Sequence, residues 1–160
     1  MDSPIYITKE LQNMQTCAHK DRYGLLGVKW AGTKEYVWAT DGHLLIMRPM
    51  GYSYKGHDWD LLFEGEKEKS APPALGPKEF FWIPGNGEEE EIECSFTTAK
   101  GKILRVLASR KDVGAWPDID QVVHPAATNK NYRTIGMNLQ CIKNISKGIG
   151  SHSVQLRIPK

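Results

Sequence analysis

The stretch Tyr36-Val-Trp-Ala-Thr-Asp-Gly-His-Leu-Leu-Ile-Met47 constrains the fold more than any other part of the chain. Two apolar runs rich in β-formers flank Thr40-Asp41-Gly42-His43. Asp-Gly between such runs is a strong short-range signal for a tight turn. Gly42 can take φ > 0, and Asp41 can hydrogen-bond its own backbone. The stretch predicts a β-hairpin with strands over Glu35 to Thr40 and His43 to Arg48.

The flanking segments extend this pattern. Ile5-Tyr6-Ile7 is β-prone, and Thr8 fits a helix N-cap. Leu11, Met14, Cys17 and Ala18 then recur at helical spacing, which predicts an amphipathic helix over 9–19. Its other face carries Lys9, Gln12, Asn13 and Thr16 and is polar without being basic. Leu25 to Ala31 is a predicted strand, joined around Gly32 to the first strand of the hairpin. From Gly51 to Lys78 the character changes, and a long excursion is expected, with one short helix near Trp59 to Phe63 and a mobile charged tip. Phe80-Phe-Trp-Ile83 is a strong strand closed by Pro84-Gly85-Asn86-Gly87. That Gly-Asn-Gly precedes four glutamates rather than a basic helix, which argues against phosphate binding. Ile92 to Thr97 and Ile103 to Ala108 form a predicted hairpin around Lys100-Gly101. Thr134 to Ile149 is a second helix candidate, with Lys143 and Lys147 one turn apart and Gly148 and Gly150 stopping it. Ser153 to Ile158 alternates as a final strand. Many strands, few helices and hairpin-type turns argue for an α+β fold with a mostly antiparallel sheet.

The chain has 160 residues, enough for one core and an appendage. No apolar run approaches transmembrane length, and the opening residues lack the basic-then-apolar form of a signal peptide. Cys17, Cys94 and Cys141 are widely spaced and odd in number, which suits small buried hydrophobes in a reducing compartment. A cytoplasmic protein is expected. The overall charge of +2 hides an asymmetry: residues 96–160 carry eleven Lys or Arg against three Asp, and residues 1–95 carry ten against sixteen acids. A basic half suits a polyanion, although charged faces also serve solubility alone. His19, His43, His57, Asp41 and Asp58 fall at no metal-binding or hydrolytic spacing, and Ser95, Ser109 and Ser151 sit in no nucleophile elbow. An enzyme is not expected, nor a cofactor.

Three segments together resemble one family. Ala39-Thr40-Asp41-Gly42-His43 resembles the turn in the middle domain of bacterial DNA sliding clamps, the β subunit of DNA polymerase III. Ala18-His-Lys-Asp-Arg-Tyr-Gly-Leu-Leu-Gly27 is similar to the clamp segment that leaves the first helix and enters the next strand. Ser109-Arg-Lys-Asp-Val-Gly-Ala-Trp-Pro-Asp118 is similar to the stretch that ends in aromatic-Pro-Asp before the link to the last domain. The three occur in the family's order with similar spacing, while 51–91 matches poorly.

The resemblance implies a DNA-clamp-like domain over 1–125 with a variable excursion at 51–91, an antiparallel sheet carrying one or two helices on one face. Residues 126–160 would be a linker, helix and strand, either the start of a next clamp domain or the domain's second helix. The family's second helix would fall where this chain runs from Ile83 to Ile92 through its glutamate-rich turn, which cannot supply one. A complete clamp subunit has three domains, so this chain resembles a module of a ring. The implied function is a processivity module that binds duplex DNA non-specifically and docks peptides of DNA polymerase and other clamp-binding proteins. Position by position, the peptide cleft carries over to Leu25, Thr40, Gly42, His43, Leu45, Pro117 and Val122. Leu44 and Gln121 stand where the family has basic residues. Candidate DNA contacts are Arg110, Lys111, Lys130, Arg133, Lys143 and Lys147. A clamp-derived interaction protein without ring formation, including a phage-encoded one, is the alternative, and a small metal-dependent hydrolase is a third.

Overall fold

The computed structural model describes residues 3–17, 27–41, 45–50, 55–67, 70–85, 88–111, 116–119, 121, 142–143 and 146–148. Strand β1 (Ile5–Thr8) alternates, with Ile5 and Ile7 fully buried. Thr8 ends it in an extended conformation, and its side chain accepts the Leu11 N–H at 3.3 Å. That capping bond starts helix α1 (Lys9–Met14), which tightens into a 3-10 turn over Gln15–Cys17. The α-helix is therefore shorter than the predicted 9–19. Leu11 and Met14 point into the core as expected, and Ala18 lies outside the described residues.

The remaining strands are β2 (Val28–Ala31), β3 (Tyr36–Thr40), β4 (Leu45–Pro49), β5 (Trp59–Glu64), β6 (Phe80–Ile83), β7 (Glu91–Thr97) and β8 (Ile103–Ser109). Six form an antiparallel sheet in the order β4-β3-β2-β5-β8-β7, and β1 pairs with β6 in a second, two-stranded sheet. Both predicted hairpins are present: Thr40 pairs with Leu45, and Thr97 with Ile103. Gly101 carries the positive φ of 73° that the β7–β8 turn needs. At the β2–β3 turn the positive φ falls on Glu35 (57°), not on Gly32. The turn is held by Asp58, whose Oδ1 accepts from the Thr33 N–H and Oγ1–H. This is an α+β arrangement, mostly antiparallel sheet with a little helix.

One element departs from expectation. Trp59 to Phe63, predicted as a short helix in an excursion, is the interior strand β5, paired with β2 on one side and β8 on the other. The run Trp-Asp-Leu-Leu-Phe-Glu shows no clean alternation because both of its faces are covered. Trp59, Leu61 and Phe63 enter the core, and Asp60 on the other face pairs with Lys29 at 3.0 Å. A short apolar run of this kind carries no period that separates strand from helix. Segment 51–91 thus supplies the middle of the sheet.

Part of the pairing repeats between two units, while β2–β3 and β5–β8 pair without a counterpart among the described residues. The first unit is β1, α1 and then β2-β3-β4; the second is β5, a loop and then β6-β7-β8. The first strand of each unit pairs with the second strand of the other, β1 with β6 and β5 with β2. The third and fourth strands of each make a hairpin. By this correspondence the second unit's helix position falls between β5 and β6, not between Ile83 and Ile92. Pro72, Pro73 and Pro77 keep that segment from being helical. Leu75 from it is buried in place of a helix face. The helix of the first unit ties it down. The Gln12 side chain donates to Pro73 O (2.8 Å) and accepts from Leu75 N (2.9 Å). Gln15 likewise donates to Phe63 O (2.8 Å) and accepts from Phe63 N (2.7 Å).

One core fills the space between the inner face of the large sheet, α1 and the β1–β6 pair. It runs from Ile5, Met14 and Ile83 to Trp30, Phe63 and Val106. β6 and β7 meet there through the stacked rings of Phe81 and Phe96, 4.6 Å apart. Gly27 enters β2 with φ 77°, where a Cβ would lie 1.8 Å from the Leu61 carbonyl oxygen. Among the described residues no helix is long and apolar enough to cross a membrane. Residues 142–143 and 146–148 are helical, within the predicted second helix, and the predicted strand at 153–158 lies outside the described residues.

Candidate functional site

The face of the large sheet turned away from the core carries the candidate site. A row of register partners crosses it: Met47, Trp38, Lys29, Asp60, Ser109 and Glu91. Solvent would be expected on this side, yet Trp38 is only 4 % exposed and Thr40 only 5 %. Part of the cover is Trp116. Its ring meets Trp38 edge-on, with centroids 4.8 Å apart at 77°, and the Lys29 ammonium stands 5.8 Å from its centroid. Lys29 is thereby held between the Asp60 carboxylate and an aromatic face, two favourable places for a cation. Trp116, beyond β8, therefore reaches β3 on the outer face.

This contact bears directly on the predicted peptide cleft. Trp38 and Thr40 share a face of β3, and Thr40 is paired with Leu45 at the base of the hairpin. Pro117 follows Trp116 and is exposed. Thr40 and Leu45 are register partners, and Pro117 is the chain neighbour of Trp116. Thr40 is buried, Leu45 half-buried and Pro117 exposed. Leu25, Gly42, His43 and Val122 lie outside the described residues. In the sequence Trp116 belongs only to the aromatic-Pro-Asp stretch, and its contacts with Trp38 and Lys29 come from the tertiary structure. An aromatic residue just ahead of Pro-Asp was the available signal.

The predicted DNA contacts divide. Arg110 lies over the Trp59 ring at 5.4 Å, and its backbone N–H donates to Glu90 O at 2.8 Å. Lys111 is exposed and pairs with Glu90 (3.4 Å) and Glu91 (3.8 Å). Together with His57, Asp58 and Glu90 these two line an open cleft of about 410 Å³. Its charges are interleaved, so it lacks the single sign that concentrates a polyanion. Exposed pairs are weak, however, and a phosphate can displace a carboxylate from Lys111. Lys143 and Lys147 are exposed on helical residues. Lys130 and Arg133 lie outside the described residues.

Among the described residues no group of three or more His, Cys, Asp or Glu is placed to hold a metal ion. Cys94 is partly buried on β7, and burial, followed by the charges of Glu89 and Glu93, pushes its thiol pKa above the ordinary value. A thiol held protonated is a poor nucleophile. No protein-family model matches the chain, and neither a curated protein nor a solved structure matches it.

Proposed function

We propose that the chain is a sliding-clamp-like module whose working surface is a peptide cleft beside the β3–β4 hairpin. The observation that carries this reading is the return of the chain after β8. Trp116 packs on Trp38, two residues before Thr40 in β3, and Pro117 follows Trp116; the family resemblance assigns Pro117 and the Thr40–Leu45 pair to one cleft. The strand exchange between two like units is further support for a clamp-like domain. Apolar walls from Leu45 and Pro117 suit a short linear motif with apolar side chains, and a replication protein is the partner class the resemblance implies. The resemblance assigns half of the cleft to another domain, so the affinity of this half alone should be low, roughly tens of micromolar.

The described residues between β5 and β6 carry no helix, which favours the form of this reading without ring closure. Duplex binding should then be salt-sensitive, independent of sequence and weaker than about micromolar near physiological salt. The test is an NMR titration with a clamp-binding peptide, with light scattering for size. Shifts at Thr40, Leu45, Trp116 and Asp118, abolished by Leu45→Asp in a protein that stays folded, are expected. A saturating peptide that moves none of them removes the cleft.

A further inference from the structure

At the end of the β3–β4 hairpin opposite its turn, a cavity of about 330 Å³ opens beside α1. Leu11 and Met14 of α1, Val37 of β3 and Met50 just past β4 give it apolar walls. Arg48 is the register partner of Val37 and so faces the same, inner side of the sheet. Its Nη1 is buried and has no hydrogen-bond partner among the described residues. Glu10, in the first turn of α1, also lines the cavity but is exposed.

A guanidinium cannot escape burial by losing its proton, and a buried N–H without an acceptor is costly. An apolar cavity with one unpaired cationic donor has the composition of a small-ligand site, and its volume lies in the usual range of about 300–1,000 Å³. The geometry points to a binding site for a small apolar monocarboxylate. The carboxylate accepts from Arg48 Nη1, replacing the missing partner with a charge-assisted bond. The hydrocarbon body lies against Leu11, Met14, Val37 and Met50. Glu10 at the mouth repels a second negative charge, so dicarboxylates are disfavoured. The site is independent of the peptide cleft, which lies at the other end of the same hairpin.

The experiment titrates the full chain with octanoate, with octanol as a neutral body of equal length and with octanedioate as a dianion. Binding is followed by NMR and calorimetry. Octanoate should shift Val37, Arg48 and Met50 and bind at least about tenfold more tightly than either control, one power of ten being the scale of one good charged hydrogen bond. Arg48→Met should lose that tenfold advantage and leave octanol unchanged. Equal affinities for octanoate and octanol, shifts confined to residues outside the cavity, or an Arg48→Met protein that holds octanoate as tightly as the parent would each overturn the assignment. Should Arg48→Met fail to fold, Glu10→Gln decides: tighter octanoate binding supports the site, and unchanged binding overturns it.

Discussion

The two halves of this fold use the same order of strands but close over the core differently. From β1 to β4 an amphipathic helix covers the inner face through Leu11 and Met14. From β5 to β8 a proline-bearing loop takes that place and contributes Leu75. A helix satisfies its own backbone, whereas a buried loop cannot, so the loop must find partners elsewhere. It finds them in the other half. Gln12 presents an amide side chain that meets Pro73 O and Leu75 N much as a neighbouring strand would. Gln15 does the same for Phe63, at the inner end of the same loop's preceding strand. The comparison teaches that one helix can do structural service for two units when its polar face is turned toward the unit that lacks one.

The sharpest way to break this comparison is to empty the two equivalent positions. Leu75→Ala and Met14→Ala should each cost about 2–5 kcal/mol in urea denaturation, the usual loss for a fully buried large side chain. A Leu75→Ala protein within about 0.5 kcal/mol of the parent would show that the loop does not replace a helix. Next comes Gln12→Ala. It strands a part-buried carbonyl and a buried N–H, and about 2–3 kcal/mol should be lost, with faster amide exchange at Leu75. Unchanged protection at Leu75 would mean that the amide bridge contributes nothing. Trp116→Ala tests the outer face and should cost about 1 kcal/mol while shifting the Trp38 indole resonance. If Trp38 does not respond, the return of the chain to β3 is wrong.

The smallest effect falls on the outermost strand of the helix-less half. Because the folded Cys94 thiol titrates above its unfolded value, stability from this group is complete below the unfolded pKa. It falls as pH rises from about 8.5, the ordinary thiol value, through the folded pKa. Stability measured across that interval should decline slightly less in Cys94→Ala than in the parent. An equal decline would remove Cys94 as a source of the pH dependence.

Much of this protein is determined by the sequence alone. Thr8 and the apolar spacing after it specify where the helix begins. Asp41-Gly42 and Lys100-Gly101 between β-prone runs specify both hairpins, because turn chemistry and side-chain period are properties of near neighbours. The outward charges of β7, Glu91 and Glu93 against buried Ile92, are equally local. Of the candidate site, the family resemblance supplies Thr40, Leu45 and Pro117 as candidates, each from a local motif. The tertiary structure decided the rest. It made β5 an interior strand, a choice its non-periodic sequence leaves open. It joined Gln12 to Leu75 across 63 residues, packed Trp116 on Trp38, and turned Arg48 toward an apolar cavity. None of these follows from a window of neighbours, because each depends on which strands pair, and strand pairing is settled by burial and hydrogen bonding over the whole sheet.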